Sequence, residues 1–189
     1  PGYRAQGLTV AGAMDATALA EGAALLRQST ELAVIEMAGS GGAFRVDHDT
    51  RIALTGARMA ANIDGVPIAW NASHLLPAGA LLSIGGAQQG SFGYLHVGGG
   101  IATPKVMGSR ASHLRAGIGQ LLANGDTLSL GTEKGGEVAM TLPPDNRYDG
   151  GTVRIVASMQ TEDFDEDVRA RFASTTFRRD PRANRMGVR

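Results

Sequence analysis

Apolar and polar positions along this chain change period once, early on, and that change predicts the class of fold. Met14, Ala18, Leu19, Leu25 and Leu26 mark one side of a helix that runs through Arg27, with Asp15 placed to cap it. Gly22 weakens that helix and predicts that it is short or bent. Beyond it the pattern turns to short strands. Residues 32–37 form an apolar run with Glu36 embedded in it, and residues 51–55 alternate. Residues 59–63 and 66–70 flank Asp64-Gly65, the two-residue signature of a type I′ hairpin. Residues 81–84 and 91–97 follow, divided by Gly85, Gly86 and Gly90. Strands at such spacing, broken by glycine turns, predict a mostly β sandwich or barrel.

A faint internal repeat fits that architecture. Pro77-Ala78-Gly79-Ala80-Leu81-Leu82-Ser83-Ile84-Gly85 resembles Leu122-Ala123-Asn124-Gly125-Asp126-Thr127-Leu128-Ser129-Leu130-Gly131. Each reads as a turn that launches a strand ending at glycine. Two origins stay open: two related β units joined near Gly98-Gly99-Gly100, or one turn solution used twice. On the first, residues 1–100 form one barrel-like subdomain and residues 101–189 a second, incomplete at its C-terminal end. After Gly131 residues 133–136 read as a loop and 143–151 as a surface connection, while 152–157 predict a strand. Thr161 then caps a helix with an acidic first turn, and Phe164, Val168 and Phe172 form its buried face. The charges around it (Glu162, Asp163, Asp165, Glu166 and Asp167, then Arg169 and Arg171) read as a solvated surface.

Composition narrows the function classes. No stretch approaches the roughly 20 apolar residues of a membrane span, which argues against a membrane protein. Eighteen basic residues balance eighteen acidic ones, so there is no basic footprint for nucleic acid. Lys105 and Lys134 are the only lysines, which excludes a P-loop lysine. Positive charge is therefore almost all guanidinium, suited to a bidentate grip on carboxylate or phosphate. The absence of cysteine removes disulfides, thiolate chemistry and cysteine zinc sites, and fits a cytoplasmic protein.

Standard catalytic motifs are missing: no P-loop, no G-x-S-x-G elbow, no H-E-x-x-H and no dinucleotide fingerprint. Gly98-Gly99-Gly100 reads either as a backbone nest for an anion or as a tight crossing between strands. Of the histidines, His74 and His96 fall in strand-like runs and His48 in the polar turn Asp47-His48-Asp49. His113 differs, lying between Arg110 and Arg115 in the loop Gly108-Ser109-Arg110-Ala111-Ser112-His113-Leu114-Arg115-Ala116-Gly117. A base or hydrogen-bond donor beside two arginines makes an anion or carbonyl site; the same loop also reads as a surface loop tied down by its arginines. Asp15 reads as a helix cap and also as a carboxylate for proton transfer or amine binding at a glycine-bounded helix start. Glu36, costly if buried unpaired, is expected to be paired with an arginine, edge-exposed or functional.

Five segments in order carry a family resemblance. They are Pro1-Gly2-Tyr3-Arg4 with Gly12-Ala13-Met14-Asp15; Ile52-Ala53-Leu54-Thr55-Gly56-Ala57; Val97-Gly98-Gly99-Gly100-Ile101; Gly108-Ser109-Arg110; and Asn184-Arg185-Met186-Gly187-Val188-Arg189. Together they resemble the allophanate hydrolase subunit 2 family, also described as the C subunit of 5-oxoprolinase or as biotin-dependent carboxyltransferase family proteins. Two departures stand out. Ala20-Glu21-Gly22 replaces an Ala-Asn pair before a Val-Gly-Asn turn, and the loop after Gly131 lacks a clear family pattern. Members also begin before Pro1 and extend beyond Arg189. The resemblance implies a cyclophilin-like β-barrel architecture with two related subdomains and a few short helices. It implies two partners, a homologue of the 5-oxoprolinase B subunit and a further hydrolase subunit, and ATP-dependent opening of 5-oxoproline, a small lactam, to glutamate by the complex. In relatives that act on urea, biotin delivers the carboxylate, and some homologues antagonise a sporulation kinase inhibitor, a regulatory role without turnover. Within that frame Ser109, Arg110, Arg115 and Arg185 are the expected substrate-binding residues, with Asp15 and His113 as the expected proton-transfer pair.

Overall fold

The computed structural model of the chain describes residues 3, 5, 7–8, 12–143, 146–152 and 154–177. Its first helix, α1, spans Ala16–Leu26. Asp15 caps it by accepting a hydrogen bond from the Ala18 amide at 3.0 Å, and Arg27 closes it in the left-handed conformation. The strands that follow are β1 (Ile35–Ala38), β2 (Ala43–Phe44), β3 (Thr50–Ile63), β4 (Val66–Pro67), β5 (Ala72–Leu76) and β6 (Leu82–Val97). All pairings among them are antiparallel, in the order β1-β6-β3-β4, with β2 also on β6 and β5 also on β3. The described fold is thus a mostly β antiparallel sheet with a few short helices, as the pattern predicts.

Two pairs of expected short strands are each one long strand. Residues 51–55 and 59–63 belong to β3, and 81–84 and 91–97 to β6. The intervening glycines do not break the ladder; they bend it. Gly56 (φ 80°) and Gly90 (φ 79°) adopt positive φ within the strands, and the β3/β6 register slips between Gly56 and Ala61. At Asp64-Gly65 both residues take positive φ (49° and 83°), and Asn62 pairs with Pro67, which is the type I′ hairpin expected there.

Strand alternation divides the core. Ile52 and Leu54 of β3 and Leu95 and Val97 of β6 face one side, where Met37, Leu76, Leu82 and Ile101 join them. From the other side Ala53 meets Leu25 and Leu26 of α1, with Met140 and Leu142 beside them. Thr55 and His96 point the same way, toward the helix. Gly22, expected to weaken α1, lets the helix sit close against β6: a Cβ there would collide with the His96 ring.

By its internal contacts the chain divides into residues 1–149 and 150–189, so Gly98-Gly99-Gly100 lies inside the first unit. In the second unit the expectations fail. Residues 152 and 154–157 lie in no strand, and Ile155 and Val156 are 73% and 92% exposed. Thr161 opens a short 3-10 turn (Thr161–Asp163), while α2 spans Glu166–Ser174 behind Asp165. Phe164, Val168 and Phe172 are exposed rather than buried. A helical stripe is buried only against a second apolar layer, and the described residues of so short a unit supply none. The solvated reading of its charges holds.

Candidate functional site

Asp15 sits at the centre of a half-buried polar cluster built by four distant parts of the chain. Its backbone amide donates to the Tyr94 hydroxyl on β6 at 2.8 Å. The Tyr94 hydroxyl in turn donates to Glu36 Oε2 on β1 at 2.8 Å, and the same oxygen accepts the Met14 amide at 2.7 Å. Asp15 Oδ2 accepts the Tyr148 hydroxyl at 2.5 Å and lies 3.4 Å from the Arg147 guanidinium. Arg147 also grips Glu21, further along α1, through two bonds of 2.6 and 2.8 Å, and its guanidinium lies 4.8 Å from the centre of the Tyr148 ring. Glu36 thus has a phenol and a backbone amide among its partners. Residues 146–149, expected to be a plain surface connection, deliver the basic and phenolic side of the cluster.

The electrostatics follow from these contacts. Burial opposes charge on Asp15, but the Tyr148 hydroxyl, the Ala18 amide and the Arg147 charge outweigh it. The carboxyl is held below its ordinary value of 3.8. Tyr148 is pushed above its ordinary value, first by burial and then by donating to that carboxylate. Glu21 holds Arg147 firmly in its charged form. At neutral pH Asp15 is therefore an ionised acceptor, able to take a proton but not to supply one.

The arginine loop is held by its own contacts. Val106 and Ser109 exchange backbone hydrogen bonds across a tight turn, with Gly108 at φ 78°. The Ser109 hydroxyl accepts the Ala111 amide, and Arg110 Nε donates to the Thr103 carbonyl at 2.7 Å. His113 precedes a 3-10 turn, Leu114–Ala116, which Gly117 closes in the left-handed conformation. Arg115 lies on that turn and is exposed. One short stretch therefore carries Arg110 and Arg115 with His113 between them. None of these residues is among the described partners of Asp15. Arg185 lies outside the described residues.

The glycine run reads as a crossing. The amides of Gly98, Gly99 and Gly100 donate to the Arg51 carbonyl, Gln28 Oε1 and the Val97 carbonyl, so none is offered to an anion. Gly99 packs so closely on Gly131 that a Cβ would strike its carbonyl. This stretch does not fit a phosphate cradle for ATP. Trp70 donates its indole N–H to the Gly56 carbonyl at 3.0 Å, tying the stretch before β5 to the bend in β3. Beside the crossing, Arg51, which is 7% exposed, pairs with Glu133 at 2.5 Å and also donates to the carbonyls of Leu26 and Glu137.

The antiparallel sheet, with its helix laid across one face, defines the class as a mostly β domain. The chain belongs to the family described as "Carboxyltransferase domain, subdomain A and B", which matches residues 6–189. It is 30% identical to the C subunit of 5-oxoprolinase from Escherichia coli over 193 aligned residues, covering all of this chain and 62% of that protein. It is also 30% identical over 130 residues to urea amidolyase of Saccharomyces cerevisiae, covering 69% of this chain and 7% of that protein. Among solved structures, the crystal structure of TTHA0988 superposes with a TM-score of 0.87 at 27% identity, covering 96% of this chain and 68% of that one. The chain thus spans about three fifths of the length of the Escherichia coli relative.

Proposed function

We propose that this chain is a subunit of an ATP-dependent amide or lactam hydrolase that opens 5-oxoproline to glutamate in the assembled complex. One observation carries the reading: the similarity to the C subunit of 5-oxoprolinase extends over the whole chain. The site chemistry is compatible with it. Arg110 commits Nε to the Thr103 carbonyl, and its terminal nitrogens have no described partner, so they and Arg115 are suited to a substrate carboxylate or a phosphorylated intermediate. Ser109 shapes the turn that presents them, and Arg185 is assigned to the same task by its motif. His113, between them along the chain, is assigned the part of proton donor or acceptor, and Asp15, being ionised, serves as base or as acceptor for an amide N–H. ATP supplies carbonyl activation to the complex, and none of the described residues is assigned to hold it. The assembly is completed, in the cytoplasm, by a homologue of the 5-oxoprolinase B subunit and by a further hydrolase subunit.

The test is to co-purify the full chain with those two partners and assay ATP-dependent turnover of 5-oxoproline. Arg110→Ala with Arg115→Ala is expected to abolish it; unchanged turnover removes the arginine loop from the site. The similarity to urea amidolyase favours a second reading, transfer of carboxylate from biotin to urea or a related amine. That reading requires turnover of urea that depends on a biotin carrier and bicarbonate, with none on 5-oxoproline.

A further inference from the structure

The turn at residues 146–149 is fastened to the rest of the first unit by three successive side chains. Arg147 holds Glu21 and Asp15, Tyr148 holds Asp15, and Asp149 accepts a bond from Gln89 on β6. Gly90, next to Gln89, is the only residue type that leaves room for this. A Cβ there would come within 2.8 Å of the Tyr148 ring and 2.9 Å of the Ala57 Cβ. The bulge in β6 therefore serves to seat Tyr148 over the start of α1. We propose that Tyr148 and Arg147 are positioning residues for Asp15, with the phenol fixing Oδ2 and the guanidinium tethering the helix start through Glu21, so that the carboxylate is presented charged and in one orientation. This rests on the reading that Asp15 belongs to the reaction site.

Among the described residues, titratable groups on four elements enter the balance. Tyr148 and Arg147 bear on the carboxylate from the turn, Glu21 acts through Arg147 from α1, Tyr94 touches the Asp15 amide from β6, and Glu36 lies behind Tyr94 on β1. Removing the Tyr148 hydroxyl leaves the desolvation of Asp15 in place and takes away its shortest hydrogen bond, so the carboxyl must titrate at higher pH.

The experiment follows the 13C-carboxyl resonance of Asp15 through a pH titration of the full chain, for wild type, Tyr148→Phe, Arg147→Gln and Arg147→Lys. Tyr148→Phe keeps the ring on Gly90, and circular dichroism checks that the variants stay folded. The expected result is an upward shift of the Asp15 midpoint in Tyr148→Phe and Arg147→Gln, with Arg147→Lys nearer to wild type. An Asp15 midpoint unmoved in the first two variants overturns the proposal. In the reconstituted complex the acid limb of kcat/KM should move the same way in Tyr148→Phe. If the resonance shifts while Asp15→Asn leaves turnover intact, the positioning stands and it is the place of Asp15 in the reaction that falls.

Discussion

At the scale of single residues, the sharpest consequence lies behind the site, at His96. The Thr55 hydroxyl gives its one proton to the Ala18 carbonyl at 2.8 Å, so its oxygen accepts from His96 Nε2–H at 2.9 Å, which places a ring proton on Nε2. Burial lowers the His96 value from 6.5 to about 4, against a smaller opposing effect from the Ala18 backbone. A histidine whose folded value is depressed binds fewer protons folded than unfolded between those two values. Stability is then full above about pH 6.5 and falls as pH drops toward 4, by on the order of 3 kcal/mol. Urea unfolding at pH 7 and at pH 4.5 should show that loss, and His96→Gln should flatten the dependence. The sequence places His96 in a strand-like run as a half-buried structural residue; that it is fully buried depends on α1 packing over it, which no spacing within the strand records. Asp15 was legible as a cap for the opposite reason: the Ala18 amide is three residues away. Its partners Arg147 and Tyr148 lie 132 and 133 residues on, where no spacing rule reaches.

Secondary-structure elements show the same divide between local and distant causes. α1 and the Asp64-Gly65 hairpin are written in their own residues, and both were readable. Gly85, Gly86 and Gly90 read as breaks between strands yet lie within β6, because a glycine that bends a ladder looks in sequence like one that stops it. The reverse error occurred at 152–157, where β-prone side chains predicted a strand that has no described pairing. Gly22 offers a test in which element and environment disagree. In an isolated helix, Gly→Ala is stabilising by about 1 kcal/mol. Here the added methyl meets the His96 ring, and overpacking costs roughly 1–3 kcal/mol. Gly22→Ala should therefore lower the urea midpoint; a raised midpoint would show that the ring yields without cost.

Across the whole molecule, the mostly β class and the family were legible from patterning and five ordered segments, whereas the join between remote stretches was not. Arg51 is the clearest such join: it binds the end of α1, the start of β3 and the 133–137 segment into one corner. Its partners are 25, 82 and 86 residues away along the chain. Contacts that close such long loops form after the local ones, when most of the entropy of ordering has already been lost. The corner should therefore act as a kinetic lock, absent from the folding transition state and opened only on the way out. Breaking a largely buried ion pair costs about 3 kcal/mol, and a cost borne after the barrier falls on unfolding alone. Arg51→Met should speed the unfolding arm of the chevron about a hundredfold while leaving the folding arm in place. Such a chain would fold as fast as the wild type and yet survive a far shorter time before opening to proteases.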